Sequence, residues 1–282
     1  MRSYTAEDIR VLKRKANDLR QDIIRMIHKA KAGHPGGALS AADIVTALYF
    51  FVMKVDPQRP DWEARDRFIL SKGHACPVWY AALAEKGYFA KEHLNTLRKF
   101  ASLLQGHPDM KKTPGIDMTS GSLGNGLSAG VGMALAAQDK MLDYHVYVML
   151  GDGELQEGQV WEAAMAAAHY DLNNLTAIVD YNGLQVDGWT KDVMSVHPLV
   201  EKWEAFGWRA IEIDGHQMTE ILGAFQQRQK IKGPVVIIAH TVKGKGVSFM
   251  ENVCEWHGLA PNDGQTEKAL LELAKEVEDC ER

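Results

Sequence analysis

Behind Thr5 and Asp8, the apolar residues Ile9, Leu12, Ala16, Leu19, Ile23 and Ile27 recur at three and four positions. A hydroxyl followed by a carboxylate three residues on is an N-terminal helix signal, and the spacing puts the apolar side chains on one face. The spacing predicts one long amphipathic helix that stops at Gly33. Ser40 is expected to cap a second helix to about Met53, with others at about 76–86, 91–100, 126–139, 157–171, 199–206, 217–231 and 266–280. Between them lie short apolar runs, Arg67–Leu70, His145–Leu150, Leu175–Asp180, Trp208–Ile213 and Val235–His240, flanked by Gly, Asp or Asn. Such runs are the mark of buried strands. Alternating strands and helices predict an α/β fold whose mostly parallel sheet is flanked by helices. No repeat or long linker interrupts the pattern, so residues 1–282 are expected to form a single domain with a helical N-terminal extension.

Composition removes several classes. At 46% hydrophobic and 24% charged, the chain is unlike disordered, collagenous or coiled-coil proteins. A net charge of −5 speaks against broad nucleic-acid binding, which needs a basic face. No apolar run approaches the roughly 20 residues of a membrane helix, and the charged N-terminus lacks the apolar core of a signal peptide. Cys76, Cys254 and Cys280 are too few and too scattered for a disulfide framework or a zinc knuckle. A soluble, cytoplasmic protein is expected.

Chemistry concentrates in HVYVMLGDGELQEGQVWEAAMAAAHYDLNNLTAIVDYN, which runs strand, Gly-Asp-Gly, helix, strand, Asn182. In open parallel sheets ligands bind beyond the carboxyl ends of the strands, so Asp152 and Asn182 are expected to converge. Gly151 and Gly153 permit close backbone approach, and the following helix aims N–H groups at an anion. A carboxylate among anion-binding groups calls for a cation, and Mg²⁺ suits it because that ion takes few protein oxygens and the rest from phosphates and water. Taken alone, Gly-Asp-Gly is also an ordinary strand-end turn.

Histidine repeatedly follows glycine, at His34, His74 and His107, and His257 precedes one. Any one of these is as readily a loop imidazole, but four beside a diphosphate site suit proton transfer to and from a polyhydroxylated substrate. His28, His93, His169 and His216 fall in or beside expected helices and are assigned structural roles.

The segments KAGHPGGALSAADIV, FILSKGHACPVWYAAL, QGHPDMKKTPGIDMTSGSLGNGLSAGVGMALA, the Gly-Asp-Gly stretch and TVKGKGVSFMENVCEWHG resemble successive signatures of transketolases, over about residues 33–258. The resemblance implies a thiamine-diphosphate-binding fold and an enzyme that moves a two-carbon ketol unit from a ketose donor to an aldose acceptor. It places the divalent metal, Mg²⁺ or another such as Ca²⁺ or Mn²⁺, on Asp152, Asn182 and the Leu184 carbonyl. It places thiamine diphosphate against His74, Gly121, Ser122, Leu123, Gly153, Asn182, Lys243 and His257. His34, His107 and His257 match catalytic, substrate-side histidines, and Arg98 falls where a sugar-contacting arginine is common or is simply a solvated charge. Glu157 either complements a helix dipole or belongs to a carboxylate cluster at a subunit interface.

Two departures qualify the match. Leu104-Gln105 stands where the family commonly has Thr-Pro, which alters the acceptor channel. The resemblance covers only the diphosphate-binding half, so this chain is expected to be the N-terminal subunit of a split transketolase. Its partner would be a C-terminal subunit carrying the pyrimidine-binding domain, in a heterotetramer of two heterodimers acting on sugar substrates. The competing expectations are a subunit of another thiamine-diphosphate enzyme, such as deoxyxylulose-phosphate synthase, and a non-catalytic binding subunit.

Overall fold

The computed structural model describes residues 2–281, with side chains described for residues 2–275. Its first part holds α1 (Ala6–Ala30), α2 (Pro35–Ser40), α3 (Ala42–Ala47), β1 (Arg67–Leu70), α4 (Cys76–Lys86) and α5 (Asn125–Asp139). Then come β2 (Val146–Gly151), α6 (Gly158–His169), β3 (Leu175–Tyr181), β4 (Leu184–Gln185), β5 (Gly188–Trp189), α7 (Thr190–Val193) and α8 (Leu199–Ala205). The last elements are β6 (Arg209–Asp214), α9 (Met218–Arg228), β7 (Val235–His240) and α10 (Asp263–Glu281).

Five strands form one parallel sheet in the order β1-β2-β3-β7-β6. Successive residues feed opposite cores, as the two-residue period of a strand requires. Tyr147, Met149, Ile178, Val235 and Ile237 face the core built with α1, α3, α4 and α9. Val146, Val148, Leu175, Ala177, Val179 and Ile238 face the core built with α5, α6 and α8. The expected α/β architecture with a parallel sheet between helices is thus present. Among the described residues no helix is long and apolar enough to cross a membrane.

α1 begins as its sequence dictates. Thr5 and Asp8 form a reciprocal capping box, and Leu12, Ala16, Leu19, Ile23 and Ile27 are buried. The helix ends earlier than expected, because Lys31 rather than Gly33 adopts the left-handed conformation that closes it (φ 54°). The region around Ser40 also differs. Pro35 starts a helix that Ser40 closes, and the hydroxyl of Ser40 donates to Asp180 at 2.6 Å instead of capping the next helix. The chain then runs through α3 into a π-turn at Leu48–Val52.

The helix expected at 91–100 shrinks to a 3-10 segment, Lys91–Thr96, since Arg98 and Ala101 take left-handed backbone conformations that a helix cannot hold. β6 is not buried on both faces as expected of it. It is the sheet edge, with only Ile211 and Ile213 buried. The short β4–β5 hairpin carries too few residues to leave a sequence pattern. Cys76 and Cys254 are free thiols, and the side chain of Cys280 lies outside the described residues.

Candidate functional site

The parallel register sets Gly151 beside Asp180, so Asp152, one residue on, and Asn182, two residues on, leave the sheet from neighbouring strands. Asp152 is buried, with Oδ1 accepting from the Gly153 N–H (2.9 Å) and Oδ2 from the Gly183 N–H (2.8 Å) and the Thr190 hydroxyl (3.0 Å). Burial, reinforced by the charge of Asp180, pushes its carboxyl up to about 6. Asn182 Oδ1 accepts from the Leu184 N–H at 3.1 Å, and the Leu184 carbonyl accepts from Lys243 Nζ at 3.0 Å.

A carboxylate offers about four acceptor positions and an amide or peptide oxygen two, so each of these three groups keeps one free. Three hard oxygens with spare lone pairs, next to cationic and N–H donors, fit a small divalent cation that shares a diphosphate. The residues present therefore fit the metal and cofactor that the sequence motif implies.

Lys243, on the loop after β7, also donates to His257 Nδ1 at 2.9 Å. His257 therefore accepts there and carries its own N–H at Nε2. Burial lowers Lys243 to about 8, with Asp152 opposing and Lys72 reinforcing the shift. Asp152, Gly153, Asn182, Leu184, Lys243, His74, His257 and Leu123 all line one cavity of about 220 Å³. Gly121 and Ser122 do not form its wall; they lie on the neighbouring loop, where Ser122 is exposed.

His34, His74 and His257 pack as a cluster, with ring centroids 5.2 Å apart for His34–His74, 5.5 Å for His34–His257 and 5.0 Å for His74–His257. Burial, then the charges of Arg98, His107 and Lys243, holds His34 down to about 4. Burial and Lys243 do the same for His257, at about 4, and burial with Lys72 keeps His74 well below its ordinary value. All three are neutral at pH 7, each able to donate at one nitrogen and accept at the other. Buried His34 Nδ1 has no hydrogen-bond partner among the described residues.

His107 is exposed and lies against Gly121, where a Cβ would come within 3.0 Å of its ring. Arg98 packs on Gly106, where a Cβ would meet its guanidinium at 3.0 Å, and its charge lowers both His34 and His107. The left-handed turn at Arg98 thus brings it to the histidines. Glu157 stands exposed at the N-cap of α6 and makes no capping hydrogen bond.

Sequence reasoning missed the layer beneath. Lys72 pairs with Asp180 and donates to the Gly37 carbonyl (2.8 Å), while Asp180 also accepts from Ser40, Thr241 and Asn182. Glu154 accepts from the Gly124 N–H (2.8 Å), the Gly151 N–H (3.0 Å) and the Ser71 hydroxyl, which ties the 121–124 loop to Gly-Asp-Gly. The one available signal was a carboxylate ending an apolar strand at Asp180 and another following Gly-Asp-Gly at Glu154. Of the histidines assigned to structure, His28 bonds the Pro261 carbonyl and His216 joins Asp43 to the Val242 N–H, whereas His93 and His169 are exposed.

The model of the transketolase thiamine-diphosphate-binding domain matches residues 11–275. This chain belongs to the transketolase family. It is 47% identical over 266 residues to the 6-deoxy-6-sulfo-D-fructose transketolase subunit SqwG of Clostridium sp. (strain MSTE9), covering 94% of this chain and 97% of that subunit. To an apulose-4-phosphate transketolase subunit of Phocaeicola vulgatus it is 45% identical, over 93% of this chain and 94% of that one. The solved transketolase of Campylobacter jejuni superposes with a TM-score of 0.90 at 33% identity, over 94% of this chain and 43% of that one. This transketolase chain thus spans almost the full length of the two subunits and less than half of the longer enzyme.

Proposed function

We propose that this chain is the diphosphate-binding subunit of a two-subunit transketolase, which transfers a two-carbon ketol unit from a ketose to an aldose. The observation that carries the proposal is the set of three oxygens with spare acceptor capacity, from Asp152, Asn182 and Leu184, lining one cavity with Lys243, His74 and His257. Asp152, Asn182 and the Leu184 carbonyl would hold Mg²⁺. Gly153 N–H, His74, Lys243 and His257 would hold the diphosphate, and the Gly121-Ser122-Leu123 loop would lie along the pyrimidine end. Thiamine diphosphate, when bound, supplies the electron sink for carbon–carbon bond cleavage, and the protein orients groups and moves protons. Neutral His34, His107 and His257 would hydrogen-bond sugar hydroxyls, donating or accepting a proton at one ring nitrogen each. Arg98 would face the same substrate.

The two subunit relatives are named for a sulfonated ketose and a phosphorylated sugar, which supports an anionic ketose as donor. Their names as subunits, with near-complete coverage by this chain, support a partner that supplies the pyrimidine-binding half; the assembly we propose is a heterotetramer of two heterodimers. Exposed Leu123, Val186, Trp189 and Met194 leave an apolar rim for that partner near the cavity. The test is calorimetric titration of thiamine diphosphate into the two-subunit complex with Mg²⁺. Asp152→Ala and Asn182→Ala are each expected to abolish Mg²⁺-dependent binding with the fold retained. Unchanged affinity in either variant would remove the assignment.

A further inference from the structure

Among the described residues the exposed imidazole of His107 makes no hydrogen bond, so the ring is placed by its own backbone and by its packing on Gly121. That backbone has one source of support. The carbonyls of Gln105, Gly106 and His107 all meet α4: the Tyr80 hydroxyl donates a three-centre bond to the Gln105 oxygen at 2.9 Å and the His107 oxygen at 3.0 Å, and the Cys76 thiol donates to the Gly106 oxygen at 3.3 Å. Among the described residues, no hydrogen bond reaches the backbone of residues 105–107 from any other element.

Cys76 and Tyr80 stand four residues apart, which puts them on one face of the helix, and both are buried, at 1% and 0% exposure. The helix therefore serves as a ruler. It starts two residues after His74 of the cofactor cavity, with Pro77 in its first turn and Gly87 closing it, and one turn further in it carries the clamp on His107.

Arg98 travels with the same turn. Its N–H donates to the Leu104 carbonyl at 2.9 Å, and its guanidinium packs on Gly106. Burial, and after it the charge of Arg98, lowers the His107 imidazole below its ordinary value, which makes the titration of His107 a gauge of how the turn is held.

We propose that Tyr80, assisted by Cys76, is a positioning residue that fixes the 105–107 turn and so the approach of the His107 ring to the sugar. The proposal rests on the substrate-side role given to His107 above. A reacting group displaced by about 1 Å costs on the order of 10²-fold in rate, so a clamp on its backbone is felt in turnover. A tyrosine that merely filled the core would act equally with or without His107.

The experiment compares Tyr80→Phe, which keeps the ring and removes the donor, with the unaltered protein in two readouts. By NMR titration of the full chain, His107 is expected below the ordinary 6.5 in the unaltered protein and closer to it in the variant, as the ring leaves Arg98. In the two-subunit complex, turnover should fall about tenfold or more with the thiamine-diphosphate dissociation constant unchanged. In a His107→Ala background the same substitution should cost nothing further. Cys76→Ala, which frees only the Gly106 carbonyl, should move both readouts in the same direction by less, and it carries the test if Tyr80→Phe does not fold. An unmoved His107 titration, or a turnover loss as large without His107 as with it, would overturn the proposal. A complex that transfers no ketol unit, although the titration moves, would overturn the functional reading and with it the role of Tyr80 in turnover, leaving the clamp itself in place.

Discussion

Lys72 and Asp180 form an ion pair in the interior, their side chains 3% and 0% exposed, with Lys72 in the wall of the Asp152–Asn182 cavity. Burial alone would raise the Asp180 carboxyl, but Lys72 and the hydroxyls of Ser40 and Thr241 hold it below the usual carboxylate range. The pair joins the loop after β1 to the end of β3, and through the Gly37 carbonyl to α2. Removing one partner strands the other charge, so Lys72→Met is expected to cost about 3–5 kcal/mol of unfolding free energy. Urea denaturation measures this, and a loss under about 1 kcal/mol would show that the pair is not a structural keystone.

Glu154 plays a second supporting role, since two buried N–H groups and the Ser71 hydroxyl converge on one carboxylate. Each buried donor left without an acceptor costs about 1–3 kcal/mol. Glu154→Ala should therefore lower stability by about 3 kcal/mol, and Glu154→Gln by less, since an amide oxygen keeps part of the acceptor set. Equal losses in the two variants would mean that packing, and not the hydrogen bonds, matters there.

The histidines should separate in kinetics. His74 lines the cavity, whereas His34 packs against His74 and His107 against Gly121, outside its wall. His74→Ala is expected to raise the thiamine-diphosphate dissociation constant. His34→Ala and His107→Ala should instead lower turnover, by about 10²–10⁴-fold if they move protons, with cofactor affinity nearly unchanged. An unaltered cofactor dissociation constant in His74→Ala would return that residue to a structural role.

Acid stability follows from the same cluster. His34 and His257 are held at about 4, below the ordinary histidine value of 6.5, so the unfolded chain binds protons between these limits and the folded chain does not. Stability from this source is complete above about pH 6.5 and declines as pH falls toward 4. His34→Gln should flatten the decline of the urea midpoint over that window. A slope identical to wild type would mean that His34 titrates normally in the folded protein.

The convergence of Asp152 and Asn182 on one cavity was legible because they follow the ends of adjacent parallel strands, and one topological rule brings strand ends together. Residues that act through distant contacts were not. Lys72 and Asp180 lie 108 positions apart, and neither periodicity nor composition signals such a pairing. The same holds for Ser40, whose sequence context reads as an N-cap while its hydroxyl is committed to Asp180. Helices with Pro near the start and Gly after the end, such as α4 with Pro77 and Gly87, were placed correctly because their boundaries are local. The break at Arg98 was missed because a left-handed conformation at a non-glycine residue leaves no mark in the sequence.

In the proposed assembly this chain supplies the diphosphate half of a transketolase site whose pyrimidine half comes from another chain. The direct measurement is ketol transfer from a ketose to an aldose by the mass-verified 282-residue chain, alone and mixed at increasing ratios with a chain that carries the pyrimidine-binding half. No transfer by the chain alone is expected, with activity appearing on mixing and saturating at one to one. A robust rate from the isolated chain would contradict the account.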